Sequence, residues 1–402
     1  MGVTNRSGAP IGVCGALLSA ALAVPAASVG QQTCTDRDAL YRLDGGDFVW
    51  SDVRAVSSDG SQLVVLTESY PVVHLFDLTD GGWQGSWGRS GQGPGEFLEA
   101  TGVALVGRHL YVLDGTQRRL SIFETTGTVV QTINLQDAYY PRRLDGGGRG
   151  TVLFDLSQPM GNERVIVART VGAGTRADWA RQDTVITYPR SSVARVRLTA
   201  PGAPGYRISP PYSSVPQWTP ISEGVAFWQG PDSEVRILDL GGGLQSAFSL
   251  PFGDRFEVTA DDRESWFQNA IPKEIFGQPV FEPLSEAARR TVDFPRYHPL
   301  MFELLAGPGD LLWVRRTPDG RDQVWDVVDS QGQLASRVSL APDQALMAVI
   351  PDHMVVKVTD DFDVESVEVQ RCESPPRPPA PAPRMDGRYH WTPQGSVSQG
   401  AR

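Results

Sequence analysis

A repeat in the first third of the chain restricts its possible folds more than any other feature. The segment Leu63-Val64-Val65-Leu66 matches Leu110-Tyr111-Val112-Leu113 at an offset of 47 residues. The apolar segments 75–77 and 122–124 match at the same offset, and a turn follows each of them. Each unit is therefore interpreted as four short strands joined by turns and a polar loop. Successive four-stranded units of ~40–45 residues are typical of β-propellers.

The same plan recurs with looser spacing in the rest of the chain. Paired apolar segments occur at 151–154 with 164–167, 225–228 with 235–239, 311–314 with 323–327 and 354–357 with 364–369. The 402-residue chain is also rich in glycine (42) and proline (31), and long helical patterns are nearly absent. An all-β fold follows. We predict a six-bladed β-propeller over residues 31–372, with blades that start near residues 51, 98, 143, 217, 301 and 342.

The glycine-rich segment 87–127 carries a specific family resemblance. It resembles the NHL repeat of six-bladed propellers through Trp87, Gly88, Gly91, Gly93, Pro94, Gly95, Glu96, Phe97, Gly102, Val103, Ala104, Tyr111, Val112, Asp114, Arg119, Phe123 and Gly127. One departure is Ala100, where that family usually has proline. The chain looks most like the exported bacterial NHL-like propellers, a group mostly without assigned activity. The resemblance therefore implies a fold and no particular reaction.

The glycine run could be mistaken for a phosphate-binding loop. No helix and no Lys-Ser/Thr pair follows Gly91-Gln92-Gly93-Pro94-Gly95. Phosphate cradles need a helix N-terminus and free backbone N–H groups, and proline lacks one. The net charge of −11 also argues against a nucleic-acid partner, because phosphate binding needs a concentrated positive field. The glycines are interpreted as a tight crossing between blades.

The first 30 residues have the layout of a secretory signal. Arg6 is the only charge, an apolar run covers residues 11–24, and small residues follow at 26–30. Such a run is too short for a membrane span, and no later stretch is apolar enough to cross a bilayer. We expect an exported protein, periplasmic or extracellular. At the other end, residues 373–402 form a proline-rich tail that we expect to be extended and disordered.

The last repeat unit shows only three strands, so the ring needs a strand from elsewhere. Residues 39–43 are a spare short strand, and we predict that they form the outer strand of the last blade. Antiparallel pairing there would place Cys34 near Cys372. A Cys34–Cys372 disulfide is the prediction, and two free thiols are the alternative.

Strand direction determines which loops share a face. In an a-b-c-d blade, the b-to-c loop and the d-to-a connection emerge on the same face, where propellers commonly bind ligands. Two inserts interrupt the repeat. One, at 253–300, is expected to contain one or two helical turns at 285–290, and the other, more polar, at 170–192 is expected to be an elongated outer hairpin. The candidate ligand face comprises Arg89, Asp114, Arg118, Arg142, Arg143, Tyr206, Arg207, Trp266, Tyr297, His298, Arg315 and Arg316. Aromatic and arginine side chains suit a protein, peptide or carbohydrate ligand; rim residues and interblade salt bridges are the alternative.

Signals for catalysis and metal binding are weak. The five histidines show no HxH or HExxH spacing, and no GxSxG motif is present. The acidic runs 261–264 and 360–363 lack the glycine and glutamate of an EF-hand. We therefore expect no cofactor and favour a non-enzymatic binding scaffold. The alternative is an enzyme of the lactonase or lyase type with a divalent cation, such as Ca²⁺, on the axis.

Overall fold

The computed structural model is a six-bladed β-propeller, as the repeats predict. It describes residues 39–43, 50–135, 140–157, 163–170, 183–189, 195–201, 203–230, 234–252, 255–275, 277–316 and 322–372. Six antiparallel sheets of four strands form the blades. The signal segment 1–30, Cys34 and the tail 373–402 lie outside the described residues.

The first half of the chain builds three blades. Its strands, in chain order, are β1 (Ala39–Leu43); blade 1 with β2 (Val53–Ser58), β3 (Gln62–Thr67), β4 (Val73–Asp77) and β5 (Trp83–Trp87); the short β6 (Arg89–Ser90) and β7 (Glu96–Phe97); blade 2 with β8 (Ala100–Val106), β9 (His109–Asp114), β10 (Arg119–Glu124) and β11 (Val129–Asn134); and blade 3 with β12 (Tyr140–Gly147), β13 (Thr151–Ser157), β14 (Glu163–Thr170) and β15 (Asp183–Pro189).

The second half adds three blades and both of the described α-helices. Its elements are β16 (Val196–Ala200) and β17 (Ala203–Ile208); blade 4 with β18 (Gln217–Ile221), β19 (Gly224–Trp228), β20 (Glu234–Asp239) and β21 (Leu244–Ser249); α1 (Ala260–Ala270), β22 (Glu274–Ile275), β23 (Gln278–Pro279) and α2 (Phe281–Thr291); blade 5 with β24 (Glu303–Ala306), β25 (Leu312–Arg315), β26 (Gln323–Val328) and β27 (Leu334–Leu340); and blade 6 with β28 (Gln344–Ile350), β29 (His353–Thr359) and β30 (Glu365–Arg371). Neither of these helices has the length and hydropathy needed to cross a bilayer.

The ring is closed by the N-terminal strand, as predicted. β1 pairs antiparallel with β30, so that Ala39 lies opposite Gln370 and Leu43 opposite Val367. The hydroxyl of Tyr41 donates a hydrogen bond of 2.6 Å to the carbonyl of Thr79, which links blade 6 to blade 1. Since Cys34 is outside the described residues, the Cys34–Cys372 bond stays a prediction.

The core lies between the blades, and strand alternation fills both sides of each sheet. On β3, Val64 packs towards blade 2 and contacts the cluster that contains Val112. The next residue, Val65, packs towards blade 6 in the cluster that contains Val355. Successive side chains of a strand point to opposite faces, so a strand buried on both sides has an uninterrupted apolar sequence. This is why the segments 63–66 and 110–113 are continuously apolar.

The two faces of the ring differ in the length of their connections. One face, here called the turn face, carries the a-to-b and c-to-d connections, which span two to five residues wherever the structure describes them. The opposite face, here called the loop face, carries the b-to-c and d-to-a connections, including 190–216 and 250–302. All long described insertions therefore lie on the loop face.

The two longest connections of the loop face fold together into one unit, here called the extension (residues 195–208 and 255–300). The hairpin β16–β17 packs against α1 and α2 around a shared core of Leu198, Ile208, Phe267, Ile271, Val280, Leu284, Ala288 and Val292. The one or two helical turns predicted at 285–290 lie within α2, whereas α1 and the β16–β17 hairpin are not predicted from the sequence. The outer hairpin predicted at 170–192 agrees with the antiparallel pairing of β14 and β15 at the outer edge of blade 3, and residues 171–182 lie outside the described part.

Candidate functional site

On blades 1 and 2, two of the predicted ligand-face residues hold the glycine-rich crossing in place. Arg89 is mostly exposed and lies 2.7 Å from Glu96, which also accepts the N–H of Gly93. The Gly93 N–H and the Arg89 guanidinium hold the pKa of Glu96 below its usual range. Asp114 is fully buried and accepts the backbone N–H groups of Leu98 and Gln117, both at 2.8 Å. The Asp114 carboxylate is therefore engaged within the loop.

An exposed aromatic group does lie on the loop face over blades 1 to 3. The guanidinium carbon of Arg118 is 4.9 Å from the ring centre of Tyr140, which is 43% exposed. Tyr70 (42%) and Leu98 (43%) are exposed to the same degree, and the Tyr70 hydroxyl donates to the carbonyl of Phe97. We refer to Tyr70, Leu98, Arg118 and Tyr140 as the aromatic rim. Arg142, also exposed, lies two residues beyond Tyr140 on β12.

Arg143 points instead into the junction of blades 3 and 4. Its Nε lies 2.6 Å from Asp145, and its Nη1 donates to the carbonyl of Trp218 at 2.9 Å. The guanidinium carbon also sits 4.4 Å from the centre of the Trp218 ring. Arg143 therefore links blade 3 to blade 4 through Trp218.

A second carboxylate completes a polar cluster around Arg143, formed with Asp145, Asp155, Arg164 and Tyr188, of which Asp155 and Tyr188 are buried. Tyr188 donates to Asp155 at 3.0 Å, and Arg164 lies 3.5 Å from the same oxygen. Burial raises the pKa of Asp155 and of Asp145. The positive charges of Arg164 beside Asp155 and of Arg143 beside Asp145 lower these pKa values, but burial has the larger effect. Burial also raises the pKa of Tyr188, with Asp155 adding to the effect. The sequence offers no signal for this cluster, because its members come from four strands.

The predicted residues of the extension divide between packing and surface. Trp266 is half-buried and its ring lies 5.3 Å from Phe267 and 5.4 Å from Phe294, while Tyr206 packs at the edge of the same core. Arg207 is exposed. Tyr297 is half-buried and is covered by the Arg296 guanidinium at 5.0 Å.

His298 lies at the end of the extension, where the chain enters blade 5. Its side chain has no exposed surface, and its Nε2 lies 3.1 Å from a carboxylate oxygen of Asp262 at the start of α1. The same carboxylate caps α1 with Thr259, and the Tyr212 hydroxyl donates to the Asp262 carbonyl at 2.6 Å. On the propeller side, the imidazole lies 6.0 Å from the ring of Phe302. Because the His298 side chain has no accessible surface, we assign it a structural role in packing the extension.

Arg315 and Arg316 lie where blade 5 meets the loop face, and both are nearly buried. Arg315 pairs with Glu303 at 2.9 Å, and its guanidinium carbon is 5.4 Å from the centre of the Phe302 ring. Arg316 lies 3.3 Å from Asp326 and 4.0 Å from the centre of the Phe252 ring. The structure therefore brings Arg315 close to His298 through Phe302, whereas the aromatic rim lies on other blades. Within the described residues, no three His, Cys, Asp or Glu side chains are close enough to hold a metal ion.

Comparison with known proteins identifies similarity in fold only. No family model matches the chain, and no curated protein matches it. Among solved structures, the chain is similar to a putative exported protein from Bacteroides fragilis (11% identity over 83% of this chain and 94% of that one, TM-score 0.47). It is similar to the calcium-binding protein regucalcin from Agrobacterium tumefaciens (11%, 84% and 95%, TM-score 0.40). It is also similar to virginiamycin B lyase from Staphylococcus aureus (9%, 81% and 86%, TM-score 0.36).

Proposed function

We propose that this protein is an exported, non-catalytic binding scaffold that takes its ligand on the loop face. The observation that supports this most directly is the difference between the two faces. The described connections of the turn face are minimal, whereas the loop face carries the extension and every long described loop. Binding residues are disproportionately found on loops that a rigid scaffold positions. The signal layout of residues 1–30 supports export.

The distribution of exposed apolar side chains supports the same face. Of the large hydrophobic residues that are exposed in the described part, none lies in a connection of the turn face; they lie on outer strands or on the loop face, the latter set comprising Tyr70, Leu98, Tyr140, Val215, Phe362 and Val364. Large exposed apolar patches rimmed by polar residues mark interaction sites, and we propose that side chains of this set contribute to one.

The aromatic rim suggests the chemistry of the ligand. Tyrosine offers a flat apolar surface with a polar tip, and arginine offers a planar fork that fits a carboxylate. Arg118 stacked on Tyr140, with exposed Arg142 nearby, combines both. We therefore propose a peptide or saccharide that carries a carboxylate.

A matched pair of variants tests the proposal. Arrays of acidic peptides and of uronic-acid oligosaccharides would be probed with the mature protein, with Arg118→Ala, and with Trp83→Ala as the control. Trp83 is 62% exposed but lies on the outer strand of blade 1. We expect Arg118→Ala to weaken binding about tenfold, which equals about 1.4 kcal/mol, and Trp83→Ala to leave it unchanged. Equal losses in both variants, or no binding on either array, would contradict the proposal.

A thermal-shift experiment separates the scaffold from the enzyme with an axial cation. A ligand that binds only the folded state raises its stability, by about 2.7 kcal/mol at a hundredfold excess over Kd. The scaffold predicts the same melting temperature with Ca²⁺ and with EDTA. A melting temperature that rises with Ca²⁺ and falls with EDTA would favour the enzyme instead.

A further inference from the structure

A cleft of about 450 Å³ opens on the turn face between blades 4 and 5. Its size falls in the range of small-molecule sites, about 300–1,000 Å³. Two contacts between the blades bracket it. On the inner side, Asp310 accepts the backbone N–H of Ser222 at 2.8 Å and also its hydroxyl. On the outer side, Gly332 packs so closely on Phe248 that an added Cβ would lie 2.6 Å from the ring.

The lining of this cleft combines an apolar floor with a rim of one charge. Ile221, Ile237 and Leu312 form the floor and belong to the core between the two blades or pack against it. Every charged side chain that lines the cleft is acidic, namely Glu223, Asp239 and Asp310. The remaining polar groups are a glutamine and three serines. A neutral apolar ligand would fit the floor alone, and an anion would be repelled by the rim.

We propose that this cleft binds a small organic cation, an ammonium group carried on an apolar body. The body would cover the isoleucine and leucine floor, and the ammonium group would lie against the carboxylates of the rim. A carboxylate is the natural acceptor for an ammonium group, and charge-assisted hydrogen bonds are about twice as strong as neutral ones. This site is on the face opposite the proposed ligand face and does not depend on the function proposed for that face.

Asp239 is the carboxylate best prepared for this role. It ends β20 and accepts the N–H groups of Gly241 and Gly243 and the side-chain amide of Gln245. These donors, led by the N–H of Gly243, hold the pKa of Asp239 below its usual range, so it stays ionised. The carboxylate is therefore fixed in place and charged before any ligand arrives.

Blade 1 contains a matched control for this residue. Asp77 ends β4 as Asp239 ends β20, and it accepts the N–H of Thr79 and the side-chain amide of Gln84. Its pKa is lowered for the same reason, chiefly by the Thr79 N–H. Asp77 does not line the cleft. Asp77→Asn thus reproduces the structural cost of Asp239→Asn without touching the proposed site.

The test uses hexylammonium as the probe, with hexan-1-ol and hexanoate as its neutral and anionic counterparts. Binding to the intact protein would be followed by saturation-transfer NMR. We expect hexylammonium to bind at least about tenfold more tightly than hexan-1-ol, and hexanoate not to bind. Asp239→Asn should reduce the tenfold preference to about twofold, and Asp77→Asn should preserve it.

Three outcomes would overturn the proposal. The first is equal binding of hexylammonium and hexan-1-ol, which would indicate an apolar cleft without charge selection. The second is an equal loss of preference in Asp239→Asn and Asp77→Asn. If Asp239→Asn does not fold, Glu223→Gln replaces it, because Glu223 is exposed in a turn of the same rim. An unchanged preference in Glu223→Gln would then be the third contradicting outcome.

Discussion

His298 Nε2 lies 3.1 Å from the carboxylate of Asp262, and this pair joins the first turn of α1 to the segment that leads into blade 5. His298→Ala removes a fully buried ring and leaves Asp262 without that partner. The loss of a large buried side chain and a charged hydrogen bond costs about 2–4 kcal/mol. We expect hydrogen exchange to accelerate in residues 259–270 while β3 and β9 stay protected. His353→Ala, a change of a half-buried histidine at the start of β29, should leave both regions unchanged; faster exchange throughout the propeller would contradict a local role.

His74 should make the propeller sensitive to mild acid. Its side chain is buried beside Trp50, 5.1 Å between ring centres, and burial lowers its pKa from 6.5 to about 4. The folded state therefore holds the imidazole neutral while the unfolded chain takes up a proton. Stability from this residue is complete above pH 6.5 and is lost as the pH falls towards 4, by ~3 kcal/mol in total. Urea unfolding at pH 7.5 and pH 4.5 measures the loss.

A His74→Gln variant isolates this contribution from the other titrating groups. Glutamine keeps polar contacts with Thr67 and Ser86, which lie 3.4 Å and 2.8 Å from the ring nitrogens, but it does not titrate. The variant should be less stable than the parent at neutral pH, and the difference should shrink in acid. Parallel pH profiles for the two proteins would exclude His74 as the cause.

Asp155 should act in the opposite direction. Burial raises its pKa, so the folded protein holds the proton more tightly than the unfolded chain. The resulting stability is present at low pH and is lost as the pH rises through the folded pKa. Asparagine resembles the protonated carboxyl group but does not titrate. The stability of Asp155→Asn relative to the parent should therefore increase as the pH rises from 4 to 8. A urea-midpoint difference that is constant over this range would contradict the prediction.

The predicted Cys34–Cys372 disulfide can be tested on unreduced mature protein. β1 and β30 place Ala39 opposite Gln370, so both cysteines are a few residues from a paired position. We expect no reaction with a thiol reagent before reduction and two modified cysteines after it. A bond that closes a loop of this length contributes on the order of 5 kcal/mol in the chain-entropy model. Two reactive thiols in the unreduced protein would contradict the bond.

The blades could be predicted because the apolar runs and turns that mark each strand lie within one short repeat of the sequence. In segments such as 63–66 and 110–113, burial on both sides of a strand produces an apolar run, and turns punctuate each unit. The hairpin β16–β17 had no such signal, since its partner helices lie more than 50 residues further along the chain. Thr259 followed by Asp262 does resemble a helix start, although with aspartate in place of the usual glutamate or glutamine.

The sequence predicted which face of the ring carries the loops, but it did not predict which side chains on that face are exposed. Strand alternation places the loops correctly, but it does not tell which side chains remain exposed. Arg142 is exposed and Arg118 is half-buried against Tyr140, whereas Arg143 contacts Trp218 and the buried Asp114 accepts the N–H of Leu98, partners that the sequence does not link to them. Burial of a charged group depends on tertiary neighbours, which no spacing rule supplies.

The pairing of β1 with β30 has a consequence for how the chain folds. Among the described strands, the first, β1, pairs with the last, β30, across more than 300 residues. Such non-local contacts form late, because the chain must first lose the entropy of closing the intervening loop. Blades 1 to 5 contain all their own strands, so each can form as soon as it is made. Blade 6 needs both β1 and β30, so the ring can close only after β30 has been made.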